Sequence, residues 1–150
     1  MKLSDKGLAF LIKQETGKED GRPELRPFRD GNGYSIGYGH FLGPGKTPPQ
    51  MVITEAEAKR LLREDVANCE RAVNMLPAKF TQNQFDALVS FSYNTGHGVF
   101  TTAPTLVAYI TAGNWDAVAQ HLRTHWLSSN AGEKNILASR RDAEAKLFLS

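Results

Sequence analysis

Hydrophobic and polar positions follow two different periods along the chain. Leu8, Leu11 and Ile12 recur at helical spacing behind Ser4 and Asp5, which predicts a first helix capped by Ser4 and stopped at Gly17. Residues 17–33 are polar and rich in Gly and Pro, and read as loop. Tyr34, Ile36 and Tyr38 then alternate with small residues, the pattern of a short antiparallel strand or hairpin broken by glycines. Residues 43–50 form a second loop. From Thr54 the period turns helical. Thr54-Glu55-Ala56-Glu57 spells a capping box, and Ala58, Leu61, Leu62, Val66, Cys69, Ala72 and Val73 hold one apolar stripe to about Met75. One helix over 55–75 is predicted, about 30 Å long at 1.5 Å per residue. Pro77 ends it. A second capping box, Thr81 with Gln84, opens a helix through Phe85, Leu88, Val89 and Ser92. Further helices are expected from Pro104 to near Gly113, from Asn114 to Trp126, and over about 135–149.

These elements predict an α+β fold that is mostly helical. A small mixed N-terminal lobe with a short antiparallel sheet (about 1–54) is followed by a long connecting helix (about 55–75) and a helical C-terminal lobe (about 76–150), in one domain with a cleft between the lobes. The expected core includes Leu61, Leu62, Val66, Phe85 and Leu88.

Composition narrows this little further. With 150 residues, 41% hydrophobic and 23% charged, the chain has ordinary globular usage and enough length to bury a core. The lone Cys69 has no partner for an internal disulfide and lies on the apolar stripe, as a small buried hydrophobe does. The apolar run Leu8–Ile12 is too short for a membrane span and weak for a signal peptide, so a cytoplasmic product without stable membrane association is expected. A net charge of +2 favours a polyanionic partner, while the absence of a longer Lys/Arg cluster argues against nucleic acid.

Two carboxylates carry the candidate chemistry. Glu15 continues the Leu8, Leu11, Ile12 stripe in the last turn of its helix, where burial and the helix dipole both disfavour the ionised form; a general acid needs this. Asp30 opens the turn Asp30-Gly31-Asn32-Gly33, where backbone N–H groups favour an ionised side chain. Ser35, just beyond, could hold a water beside Asp30. A protonated and an ionised carboxyl on two sides of a bond are what glycoside hydrolysis requires. Asp20, Glu19 and Glu24 are alternative second carboxylates in the intervening loop. His121 and His125 are spaced i, i+4, but no third ligand accompanies them, so no metal or other cofactor is expected. No phosphate-binding or dinucleotide-binding loop is present in the sequence.

KQETG followed by FRDGNGYSIGYGH resembles the phage-type lysozymes, the endolysins of tailed bacteriophages in glycoside hydrolase family 24. QFDALVSFSYNTGHGVF, AGNWDAVAQHLRTHW and SRRDAEAKLF match later family helices in order, so the likeness runs through nearly the whole chain. It implies a lysozyme-like fold and cleavage of the β-1,4 bond between N-acetylmuramic acid and N-acetylglucosamine in bacterial peptidoglycan. Glu15 would be the acid, Asp30 the base, and Ser35 would stand where the family has Thr. Gly39, Phe41, Phe91 and Gln120 would line the cleft, and His40 would be structural. The loop before Asp30 is longer than the family's, the gap to Ser35 is shorter, and Thr16 replaces a Gly. The resemblance further implies a monomer, held in the host cytoplasm until a separate holin opens the membrane. Alternative readings are a peptidoglycan-binding module without activity and a lytic transglycosylase on the same scaffold.

Overall fold

Helix α1 (Asp5–Thr16) begins and ends where local chemistry directs. The Gly7 N–H donates to Ser4 Oγ at 2.9 Å, and Gly17, at φ +68°, turns its N–H back to the Lys13 carbonyl at 2.8 Å. The structure, a computed structural model, describes residues 1–17, 20–129 and 132–150. Strands β1 (Glu24–Asp30), β2 (Gly33–Gly37) and β3 (His40–Pro44) form an antiparallel sheet in that order. Helices follow: α2 (Glu55–Asp65), α3 (Ala67–Asn74), α4 (Gln82–Thr95), α5 (Val99–Thr102), α6 (Pro104–Thr111), α7 (Trp115–Thr124) and α8 (Ala138–Leu149). The mostly helical α+β class is as expected.

Four boundaries differ from expectation. Strand β1 lies in the stretch read as loop. Its Pro27 cannot donate to a ladder, and the strand meets β2 on one side only, with a register shift between Glu24 and Phe28. An exposed, charged edge strand of this kind has no apolar alternation to reveal it. The helix predicted over 55–75 is two helices interrupted at Val66, whose N–H still bonds the Leu62 carbonyl at 3.0 Å. The last helix starts at Ala138 because Asn135 sits at φ +59°, outside helical space. Trp126, at φ +53°, likewise lies beyond the end of α7.

The chain divides into two compact units. One comprises Leu8–Ala67, and the other Met1–Gly7 with Asn68–Ser150. In the first, α2 packs on β2. Gly37, at φ +70°, allows this approach, since a Cβ there would stand 3.3 Å from the Ala58 methyl. His40 Nδ1 meets both Asp65 carboxylate oxygens, at 2.9 and 3.0 Å, tying β3 to the end of α2. Thr54 and Glu57 make the predicted capping box at the start of α2.

In the second unit, α4 packs on α8, and α7 on α8. Every residue from Gln84 to Ser92 is buried, as in a helix enclosed on all sides. Thr81 and Gln84 cap it as predicted. The N-terminal residues join this unit through hydrogen bonds. Leu3 N–H donates to Glu70 Oε2 at 2.7 Å, and Ser4 N–H to Asp86 Oδ1 at 3.1 Å. Of the expected core, Leu62, Val66, Phe85 and Leu88 are buried, while Leu61 is half-buried.

Candidate active site

Glu15 and Asp30 line one open cavity of about 350 Å³ within the sheet-bearing unit. Helix α1 contributes Glu15 and Thr16 from its last turn. The loop gives Arg22, β1 gives Glu24, Phe28 and Asp30, the end of β2 gives Gly37, and the β2–β3 turn gives Tyr38 and Gly39. Asp30 ends β1 because the next two residues, Gly31 and Asn32, form a tight hairpin turn. Gly31 is at φ +59°, and Asp30 pairs with Gly33 across the turn.

Ser35 is fully buried on β2 opposite Phe28, and its hydroxyl donates to Asp30 Oδ2 at 2.6 Å. Side chains alternate along a strand, so Phe28 and Asp30 share a face. The residue across from Phe28 is therefore placed to reach the Asp30 carboxylate diagonally. The expected burial of Glu15 is corrected: the side chain is exposed in the last turn of α1. Tyr38 is nearly enclosed, and its hydroxyl makes no hydrogen bond among the described residues. Burial, and next the Glu55 carboxylate, push its phenol above the ordinary value.

The other predicted residues are dispersed. Gly39 lines the cavity. Phe41, paired with Ser35 on β3, is exposed and is not among the cavity residues. Glu24 lines the cavity, Asp20 lies 3.6 Å from Arg22, and Glu19 lies outside the described residues. Arg22 and Phe28 were missed by the sequence reading, since nothing in a stretch that reads as polar loop marks which side chains line a cavity.

Residues 19–144 match the phage lysozyme family. The chain belongs to that family. Among relatives of the chain, the endolysin of Bacillus phage B103 is 42% identical over 118 residues, covering 78% of this chain and 43% of that protein. The chain thus spans less than half the length of the Bacillus phage endolysins it matches. A crystal structure of a mutant P22 lysozyme superposes with a TM-score of 0.81 at 31% identity, covering 100% of this chain and 99% of that one. The muramidase domain of SpmX from Asticaccaulis excentricus gives 0.78 at 32% identity, covering 99% and 98%. The lysozyme fold expected from the sequence is therefore present.

Phe91 and Gln120 belong to the helical unit. Phe91 is corrected from lining residue to core residue. It is fully buried, with ring centroids of Trp126 and Phe100 at 4.9 and 6.2 Å and the Arg141 guanidinium 5.1 Å from its own. Gln120 is exposed on α7 beside a separate shallow cavity with Tyr109 and His121. His121 and His125 stack with centroids 3.9 Å apart, and no group of three metal-ligating side chains occurs among the described residues.

An ionic network fixes α8 in this unit. Glu144, fully buried, accepts from Arg140 Nε at 3.0 Å, from Ser90 Oγ at 2.8 Å and from Arg141. Arg141 also donates to Asn94 and, at 3.1 Å, to the Trp126 carbonyl. The i, i+3 and i, i+4 spacing of SRRDAEA was the available signal; that it is buried was not legible. No helix of the described residues is long and apolar enough to cross a membrane.

Proposed function

We propose that the chain is a muramidase that hydrolyses the β-1,4 bond between N-acetylmuramic acid and N-acetylglucosamine in bacterial peptidoglycan. The observation that carries this is the common cavity of Glu15 and Asp30, with Asp30 held by Ser35 at 2.6 Å. In this scheme Glu15 protonates the leaving glycosidic oxygen, and Asp30 takes a proton from the attacking water. Ser35 acts on the water through Asp30, because its own hydroxyl is enclosed and donated to that carboxylate. Oδ2 is engaged from behind, which leaves Oδ1 as the oxygen that accepts the water proton. The outcome is inversion at the anomeric carbon. The names of the relatives, endolysin and muramidase, support the substrate class. Acting as a monomer, the protein would reach the wall from the host cytoplasm after a separate holin opens the membrane.

Two measurements test the scheme. Wild type should clear a peptidoglycan suspension and release reducing ends, while Asp30→Asn should not. Release of anhydro ends instead would identify a lytic transglycosylase, and pelleting with walls without clearing would identify a binding module. Proton NMR of the first product from a soluble glycan should show the α anomer. Retention of β would recast Asp30 as nucleophile or electrostatic stabiliser.

A further inference from the structure

The cavity that holds Glu15 and Asp30 is dominated by acids. Glu24 is a third carboxylate in its wall, and Arg22 is the one cation among the described residues that line it. The carboxylates of Asp30 and Glu24 set up a negative potential that opposes an anionic ligand. Arg22 offsets that potential at one place only. Its Nε lies 3.6 Å from Asp20 Oδ2, with side chains 85% and 61% exposed. An ion pair this open to water holds its members weakly. A ligand carboxylate can therefore replace Asp20 without the penalty of breaking a buried pair.

Peptidoglycan offers such carboxylates and a plain glucosamine polymer does not. Muramic acid carries a lactyl ether whose carboxylate is free where the stem peptide is missing. Where the peptide is attached, that carboxyl is an amide and the peptide supplies its own carboxylates. We propose that Arg22 is a specificity-determining residue that grips a carboxylate of the muramic acid substituent through its two-pronged guanidinium. It would set which sugar occupies the position beside Glu15, rather than take part in bond breaking. The inference rests on the muramidase reading above.

The test compares wild type, Arg22→Ala and Arg22→Lys on three soluble substrates: glycan strands bearing stem peptides, the same strands stripped by an amidase, and chitooligosaccharide. Initial rates come from reducing ends. Binding of labelled strands and oligosaccharide is measured in parallel by fluorescence anisotropy in a Glu15→Gln background. Arg22→Ala should raise KM about tenfold on a muramic polymer, the scale of one charge-assisted contact, with kcat within about twofold. Binding to chitooligosaccharide should be unchanged. Arg22→Lys should recover only part of the loss, since an ammonium keeps charge but not the fork. An effect confined to stripped strands assigns the lactyl carboxylate, and one confined to peptide-bearing strands assigns the stem peptide. Equal effects on all three substrates, or none on either muramic polymer, would overturn the proposal. If wild type releases no reducing ends, the muramidase reading fails by itself, and the anisotropy series still decides whether Arg22 reads a carboxylate.

Discussion

The Ser35 hydroxyl donates to Asp30 Oδ2 at 2.6 Å across the β1–β2 hairpin, with Ser35 fully buried and Asp30 exposed. The sheet thus holds one oxygen of a carboxylate that lines the cavity. Ser35→Ala removes that hold without adding bulk. Turnover should fall by up to about 10²-fold, the cost of a misplaced reacting group, with KM little changed. Steady-state rates on soluble glycan strands separate the two parameters. A rise in KM with kcat intact would mean that Ser35 serves ligand binding instead.

Glu15→Gln keeps the shape of the side chain and removes the transferable proton. Activity should drop at least 10²–10⁴-fold, about what general acid catalysis contributes. Because Glu15 is exposed, stability should stay within about 0.5 kcal/mol of wild type by chemical denaturation. If more than about a tenth of the activity survives, the acid is another group, and Glu24 in the same cavity is next to be replaced.

Leu62 is 2% exposed in α2, the helix that packs on β2. Leu62→Ala should cost about 2–5 kcal/mol in urea unfolding. A loss below about 1 kcal/mol would show that the site collapses around the missing atoms.

Glu144 neutralises two arginines, Arg140 and Arg141, in a buried setting. Removing one member of such a network leaves uncompensated charge, so Glu144→Ala should destabilise by about 3–5 kcal/mol. Calorimetry on the purified variant gives the value. A change under about 1 kcal/mol would indicate that water reaches the arginines.

His121 is held below its ordinary pKa of 6.5, first by burial and then by the stacked His125. The unfolded chain therefore binds a proton here more readily than the folded one. This contribution to stability is complete above about pH 6.5 and is lost as pH falls toward the lower folded value. The melting temperature should decline on acidification from pH 7 to 5, and His121→Gln should flatten part of that slope. An unchanged slope in the variant would assign the acid sensitivity to other groups.

What the sequence determined by itself is what local hydrogen bonds and short-range packing decide. The caps at Thr54, Thr81 and Asn114 and the stop at Gly17 each close within four residues, so composition alone specifies them. The strand through Tyr34 and Ile36 was equally legible, because alternation of side chains needs no partner to be recognised. Tertiary structure decided the rest. A helical stripe names a face but not how far the cover extends, so Glu15 continues the buried row of Leu8, Leu11 and Ile12 and yet emerges into solvent. The same stripe continues in phase from Leu62 to Val73, so periodicity carries no trace of the interruption at Val66. Strand β1 exists through pairing with β2, which supplies the hydrogen bonds that its Pro27 and charged residues do not advertise. Pairing also brings Ser35 onto Asp30, and the fold of the loop sets Arg22 beside two carboxylates that are seven and eight residues away in the chain. These juxtapositions depend on how separate elements pair and how the loop between them folds, which neither period nor composition encodes.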